Sequence, residues 1–147
     1  TSDAFTPITS GDGMIVTIHQ LTSFLDELGG YLNTIGKPYT ITGNVGSGHV
    51  SAITLFDPRS KNFDDDIFTY TKNIFSLLKK YDGGISAVGG DGLTRTPFLS
   101  YVYNDATLTI FRKLKELWDP FLILNPDKKQ AVTITYLQQH IQRVSEE

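Results

Sequence analysis

The order in which strand-like and helix-like periodicity alternate constrains the fold of this chain more than any other sequence feature. Short β-branched runs predict strands over residues 14–18, 39–42, 50–56 and 85–88. Apolar residues at helical spacing predict long helices over residues 20–35 and 64–81. The order β-α-β-β-α-β predicts an α+β fold of the ferredoxin-like type, an antiparallel sheet with its helices packed on one face.

The two ends of the chain lie outside this pattern. Residues 1–13 are polar and contain Gly11-Asp12-Gly13, which predicts a turn-rich leader into the first strand. After the sixth element, Asn104 predicts a helix cap and residues 136–147 predict a final amphipathic helix, so a helical extension follows the sheet. The helix after Asn104 has an apolar stripe formed by Leu108, Phe111, Leu114, Leu117 and Trp118. With no linker or repeat, residues 1–147 are predicted to form a single domain.

Two adjacent glycines interrupt the first predicted helix. Gly29 and Gly30 each cost about 1 kcal/mol relative to alanine inside a helix. A close approach of this helix to the sheet would explain them, and a break in the helix is the alternative.

Glycine is concentrated in two loops, and we predict that they form the functional site. Residues 43–51 lie between two predicted strands, so a hairpin is the default structure for this loop. The Lys-Ser/Thr of a phosphate-binding loop is missing and no helix follows, which argues against nucleotide binding. The second loop, residues 83–99, ends in Arg95 and an apolar pair. Glycine at this density is expected where the backbone needs positive φ or approaches another group closely.

Composition excludes several classes of function. The net charge of −3 argues against nucleic acid, which requires a basic surface. The chain has no cysteine, which excludes disulfides and thiolate metal sites and fits a reducing, cytoplasmic compartment. No apolar run reaches the length of a membrane span and no signal sequence is visible. The chain begins at Thr1 rather than methionine, so we expect a processed or excised part of a longer protein.

Few side chains in this sequence carry an obvious chemical signal. His49 lies in the first glycine loop, although a lone loop histidine is also typical of a surface or turn residue. Arg95 is suited to bind a small carboxylate, and a solvated loop arginine is the alternative. The run Asp64-Asp65-Asp66 is better explained by the dipole of a helix N-terminus than by a metal site.

The order of these motifs resembles the C-terminal domain of FAD-linked oxidases, a family that includes D-lactate dehydrogenases, the D subunit of glycolate oxidase and D-2-hydroxyglutarate dehydrogenases. The similarity runs from about residue 8 to residue 129 and is strongest over residues 83–99. The closing stretch, residues 111–128, is similar to the family ending F-x-x-[IL]-K-x-x-[FW]-D-P-x-x-[IL]-L-N-P-G-K, with Asp127 at the usual glycine.

The first loop departs from the family pattern His-x-Gly-Asp-Gly-Asn-x-His, whose two histidines bind a divalent metal. Asn44 stands at the first histidine and Ser51 at the second. Ser47 replaces the aspartate and His49 replaces the asparagine. The resemblance therefore implies that this loop has lost its metal ligands.

The second loop departs from the family's Glu-His-Gly, in which the glutamate binds metal and the histidine acts on the substrate hydroxyl. Those positions are Val88 and Gly89 here, and neither residue can bind a metal or accept a proton. The resemblance therefore implies that no metal is bound and that neither residue at the family's catalytic positions can take part in catalysis.

Taken over residue by residue, the family's properties imply a specific role for this chain. It would be the substrate-side cap domain of an FAD-dependent oxidoreductase acting on a small 2-hydroxy acid, paired with a flavin-binding domain outside the chain and inactive alone. Asn44, His49 and Arg95 would bind substrate, with Arg95 alternatively at the domain interface, and Asn125 would face the flavin. The parent protein would be cytoplasmic or peripheral to the inner membrane.

Two alternatives remain open at the level of the sequence. The chain could be a non-catalytic ligand-binding or interaction module descended from the same fold, which would not turn over such acids even with FAD. It could also be a small regulatory ferredoxin-like domain that dimerises through its sheet.

Overall fold

The computed structural model of the chain describes residues 5–126 and 132–139. Strands β1 (Thr6–Ile15), β2 (Tyr39–Asn44) and β3 (His49–Phe56) form an antiparallel sheet in the order β1-β3-β2. The α+β fold class is confirmed.

Two long helices and four shorter ones accompany the sheet among the described residues. Their bounds are α1 Ile18–Ile35, α2 Phe63–Lys80, α3 Gly92–Arg95, α4 Leu99–Val102, α5 Asp105–Trp118 and α6 Ile134–Gln139. Helix α5 begins as predicted, because the side chain of Asn104 accepts a hydrogen bond from the N–H of Thr107 at 2.9 Å. Residues 140–147 of the predicted last helix lie outside the described residues.

The hydrophobic core lies between the sheet and the two long helices. Helix α1 buries an apolar stripe, Leu21, Phe24, Leu28 and Leu32, and helix α2 buries Phe63, Ile67, Tyr70, Ile74, Phe75 and Leu78. These side chains form one cluster with Met14, Val50, Ala52 and Phe56 of the sheet. Because side chains alternate along a strand, the residues between these on β3, which include His49 and Ser51, face the other side.

Strand β1 begins earlier than predicted, and the prediction of a polar leader over residues 1–13 is wrong for the part that is described. The strand runs through Gly11 and Gly13, and its register against β3 shifts between Ile8 and Gly11 and again between Gly11 and Met14. Gly13 has a φ of +68°. A glycine in a strand is typical of such a bulge, so here the turn signal marked an irregular strand.

The fourth predicted strand, residues 85–88, is not formed, and one antiparallel bridge between Ile15 and Gly84 takes its place beside β1. The N–H of Ala87 still reaches the carbonyl of Gly13 at 2.7 Å. The chain then curls around the guanidinium of Arg95, which binds the carbonyls of Ile85 and Val88. Those two residues therefore cannot continue a regular strand, and the ferredoxin-like arrangement stays a prediction.

Helix α5 leaves most of its apolar stripe uncovered by the described residues. Leu108 packs against the core and Phe111 meets the ring of Tyr103 edge to face. Leu114, Leu117 and Trp118 are exposed, so this part of the stripe lies outside the core that the described residues form.

Helix α1 is continuous through Gly29 and Gly30, and a Cβ built on either glycine meets no atom within 4 Å. Neither a close approach to the sheet nor a break in the helix therefore explains them, and both predictions are wrong.

We expect Gly29→Ala and Gly30→Ala each to raise the free energy of unfolding by about 0.8 kcal/mol, measured by urea denaturation. Gly36 is the control, since its site is equally open but its φ is +67°. Stabilisation by Gly36→Ala as well would contradict this backbone argument.

Candidate functional site

The first glycine loop is a hairpin connection, as predicted. A turn of 3₁₀ helix, Val45–Ser47, joins β2 to β3, and Gly48 ends it with a φ of +70°. The carbonyl of Gly48 accepts a hydrogen bond from the N–H of Val16 at 3.0 Å. The loop is therefore tied to the end of β1, and no helix N-terminus follows it to bind a phosphate.

Strand pairing brings the three positions of interest in this hairpin onto one face of the sheet. Asn44 pairs directly with His49, and Thr42 pairs with Ser51. Paired residues in an antiparallel ladder project their side chains to the same side. Asn44, His49 and Ser51 therefore share the sheet face opposite the hydrophobic core.

A hydrogen-bonded cluster of Asp12, Ser51 and His49 occupies this face. The hydroxyl of Ser51 donates to Asp12 Oδ1 at 2.5 Å and lies 3.1 Å from His49 Nε2. The Ser51 oxygen also accepts the N–H of Gly13 at 3.3 Å. Sequence reasoning missed Asp12 because its flanking glycines were interpreted as a turn. The β-branched residues Thr6, Ile8 and Thr9 before it were the available strand signal.

Arg95 is buried, with 9% of its surface exposed, so the alternative of a solvated loop arginine is wrong. Its Nη1 donates to the carbonyls of Asp12 at 3.0 Å and Ile85 at 2.6 Å. Its Nη2 donates to the carbonyls of Val88 at 3.3 Å and Gly90 at 3.0 Å. The four N–H groups of the guanidinium fork are thus engaged with backbone, which joins the second glycine loop to β1.

The second loop lies directly against the Asp12 cluster. A Cβ built on Gly13 would meet the carbonyl of Val88 at 2.8 Å, so this crossing requires glycine in β1. The Val88 side chain is exposed, and Gly89 has a φ of +69°. The structure therefore brings the two glycine loops together, but the second loop contributes no ionisable side chain at these two positions.

No group of three or more His, Cys, Asp or Glu side chains able to hold a metal occurs within residues 5–126 and 132–139. The predicted absence of a metal stays a prediction. Among the same residues, no helix combines the length and the apolar character that a membrane span requires.

A second ordered feature follows α5, where the carboxylate of Asp119 organises the next turn. Asp119 accepts hydrogen bonds from the N–H groups of Ile123 and Leu124, both at 2.9 Å. Lys115 Nζ donates to the same carboxylate at 2.5 Å and to the carbonyl of Leu124 at 2.7 Å. Asn125 comes next, exposed and with a φ of +47°. The spacing of lysine and aspartate by four residues was the sequence signal for this turn.

We expect this turn to loosen in acid. The Lys115 hydrogen bond, helped by the two backbone N–H groups, holds the pKa of Asp119 below its usual range. A carboxyl with a lowered folded-state pKa stabilises the fold above its unfolded-state pKa, and that contribution is lost as the pH falls through the folded-state pKa. The fluorescence of Trp118, which precedes Asp119, is expected to report this transition during acid titration.

Two variants test the assignment of this transition to Asp119. Asp119→Asn removes the carboxylate, and Asp105→Asn, at an exposed position at the start of α5, is the matched control. The Asp119→Asn variant is expected to lose the acid transition and Asp105→Asn to keep it. An unchanged acid transition in Asp119→Asn would show that another group controls the turn.

Comparison with known proteins supports the family resemblance that the sequence motifs indicate. A family model described as FAD linked oxidases, C-terminal domain, matches residues 12–129. This range contains both glycine loops, the Asp12 cluster and the Asp119 turn.

Individual relatives are distant and much longer than this chain. D-2-hydroxyglutarate dehydrogenase of Stutzerimonas stutzeri is 28% identical over 118 residues, covering 77% of this chain and 25% of the relative. The mitochondrial cytochrome D-lactate dehydrogenase of Kluyveromyces lactis is 26% identical over 97 residues, covering 66% of this chain and 16% of the relative. The probable mitochondrial D-lactate dehydrogenase of Danio rerio is 25% identical over 107 residues, covering 73% and 21%. The chain thus spans a quarter or less of the length of these relatives.

Proposed function

The chain belongs to the family of FAD linked oxidase C-terminal domains, and on that premise we propose that it is the substrate-side domain of an FAD-dependent oxidoreductase acting on a small 2-hydroxy acid. The observation that supports this most directly is the meeting of the two glycine loops at the Asp12 cluster. The names of the relatives, which are dehydrogenases of D-2-hydroxyglutarate and D-lactate, support the substrate class.

We propose that the chain, as a single domain, docks onto a flavin-binding domain of the same parent protein. The supporting feature is a run of exposed apolar side chains on α5 and just after it, in which Leu117 is 75%, Trp118 78% and Phe121 83% exposed. An apolar surface of this kind is expected to be covered by another protein surface. Asn125 lies just beyond this run, which supports its proposed place on the flavin side. FAD, when bound, would accept the hydride from the substrate.

The proposed substrate contacts are Asn44 and His49, which are cross-strand neighbours on the open face of the sheet. For Arg95 we propose a positioning role instead of a contact with the substrate carboxylate. A substrate carboxylate could bind the Arg95 guanidinium only if its hydrogen bonds to the backbone carbonyls were broken. Arg95 therefore supports the site from beneath the second glycine loop.

The side chains at the family's metal positions do not fit a divalent metal. Valine has no donor atom, so Val88 cannot be a ligand. The hydroxyl of Ser51 is already engaged by the Asp12 carboxylate. We therefore propose a reaction, or a binding event, that does not use a metal at these positions.

A second candidate function is a non-catalytic ligand-binding module descended from this fold. The observation in its favour is that Val88 and Gly89, at the family's catalytic positions, offer no group that can move a proton. Such a module would keep the open sheet face and the two glycine loops but not turn over a hydroxy acid.

The test uses the protein expressed from its complete reading frame. We expect a flavin absorption spectrum, and oxidation of D-lactate, glycolate or D-2-hydroxyglutarate with an artificial electron acceptor. No bound flavin would overturn the proposal of an FAD-linked enzyme. Bound flavin without turnover of any of these acids would favour the non-catalytic module.

A pair of variants tests the docking surface within the same protein. Leu117→Glu introduces a charge into the exposed apolar face of α5 and is expected to lower the flavin content of the purified protein. Arg112→Gln, also exposed on α5 but on the other side of the helix, changes the net charge by the same amount and is expected to have no effect. Equal flavin content in both variants would contradict docking through this face.

Two finer features of the proposal concern architecture and location. We propose that the bridge between Ile15 and Gly84 is the remnant of the fourth strand of a ferredoxin-like sheet, since it lies on the free edge of β1. A cytoplasmic location, with peripheral attachment of the parent protein to the inner membrane as the alternative, is part of the same proposal. Fractionation of cells expressing the complete protein tests the location.

A further inference from the structure

The Asp12, Ser51 and His49 cluster determines which nitrogen of His49 carries the hydrogen. A serine hydroxyl has one hydrogen, and that of Ser51 is donated to Asp12 Oδ1 at 2.5 Å. At the 3.1 Å contact with His49 Nε2, the Ser51 oxygen can therefore only accept. Nε2 must then be the protonated nitrogen of the neutral ring, and Nδ1 carries the lone pair.

The lone pair on Nδ1 is left without a partner by the described part of the chain, since the contact with Ser51 is the one hydrogen bond His49 makes there through its ring. The cross-strand neighbour Asn44 likewise uses neither its amide N–H groups nor its side-chain oxygen in a hydrogen bond to a described residue. An acceptor whose tautomer is fixed thus lies beside an exposed amide donor on the open face of the sheet. This combination matches a hydroxyl and a neighbouring carboxylate oxygen on one small molecule.

We propose that His49 Nδ1 accepts the hydrogen bond of the ligand hydroxyl, and that the Asn44 amide donates to its carboxylate, in a binding site that needs no metal. This deepens the proposed function and rests on it for the ligand class, a small 2-hydroxy acid. Ser51 and Asp12 act as positioning residues, because they hold the imidazole tautomer without contacting the ligand. In this proposal, hydrogen bonds with His49 and Asn44 hold the ligand at the loop where the family pattern has metal ligands.

The tautomer is tested first, by ¹⁵N NMR of the histidine side chains in the full chain at a pH where the rings are neutral. We expect His49 to be in the Nε2–H form. His19 is the internal control, because it is exposed and its ring makes no hydrogen bond to a described residue, and it is expected to show a mixture of both forms. Nδ1–H as the main form of His49 would overturn the proposal.

Two variants change the hydrogen bonds that hold the tautomer of the His49 ring. Ser51→Ala deletes the acceptor for Nε2–H, and we expect the His49 signals to move toward the averaged values seen for His19. Asp12→Asn keeps the shape of the site but lets the Ser51 hydroxyl turn toward Nε2, so the preference is expected to weaken there too. An unchanged tautomer in both folded variants would show that the cluster does not hold it.

Ligand recognition is tested by titrating the full chain with D-lactate and with propionate, which lacks the hydroxyl. We expect D-lactate to shift the Nδ1 resonance of His49, with propionate binding about tenfold more weakly, and chelator to change neither result. Equal binding of the two acids, or a shift that requires a divalent metal, would overturn the proposal. Both readouts are independent of flavin, so a failure here is distinguishable from a failure to find an FAD-linked enzyme.

Discussion

Replacing Arg95 by methionine is expected to lower the free energy of unfolding by about 3 kcal/mol, even though methionine fills much of the same volume. The guanidinium donates to the backbone carbonyls of Asp12, Ile85, Val88 and Gly90. Without it, these carbonyls lose their donors, and buried ones lose them without gaining water. The second glycine loop would also lose its connection to β1, so its backbone should become less protected. Urea denaturation gives the stability change, and amide hydrogen exchange at Ala87 gives the loop opening.

Two further variants separate the geometry of the Arg95 fork from its charge. Arg95→Lys keeps the positive charge but has one nitrogen in place of a planar fork, so it is expected to recover part of the loss and not all of it. Arg112→Met removes an exposed arginine on α5 and is expected to change stability by less than about 0.5 kcal/mol. Full recovery by lysine would show that charge, not the fork, holds the loop.

Features that depend on a few neighbouring residues were predictable from the sequence. The end of α1 at Gly36 and the cap of α5 by Asn104 each follow from one residue and its conformation. The hairpin between β2 and β3 follows from a short glycine-rich connection between two strand patterns. In each case the residues that give the sequence signal are close in the chain to the structure that they determine.

Features that depend on distant partners were not predictable in this way. The glycines around Asp12 carry the same signal in a turn and in a bulged strand, and only the pairing with β3 decides between them. The helical spacing around Leu117 indicates an apolar face but not the surface that covers it. For Arg95, the sequence indicates a loop arginine, and the closing of the loop around the guanidinium decides that it binds backbone.

The connection between the hairpin and β1 gives the other large expected effect, through Gly48→Ala. A Cβ on Gly48 would lie 2.0 Å from the carbonyl oxygen of Val16, and the residue has a φ of +70°. The obstructing oxygen belongs to the backbone of Val16, and the N–H of the same residue donates to the Gly48 carbonyl at 3.0 Å, so neither residue can move away without breaking that bond. A forbidden contact and a strained φ together predict a loss of about 3 kcal/mol or more.

The matched control for Gly48→Ala lies two residues earlier in the same loop. A Cβ on Gly46 would meet only the Asn44 side-chain oxygen, at 3.4 Å, and Gly46 does not have a positive φ. Gly46→Ala is therefore expected to leave the urea midpoint nearly unchanged, whereas Gly48→Ala lowers it sharply. Because His49 follows Gly48 directly, the Gly48 variant should also disturb the His49 tautomer signal wherever the protein still folds. Similar midpoints for the two variants would mean that the hairpin is not held against β1 at this residue.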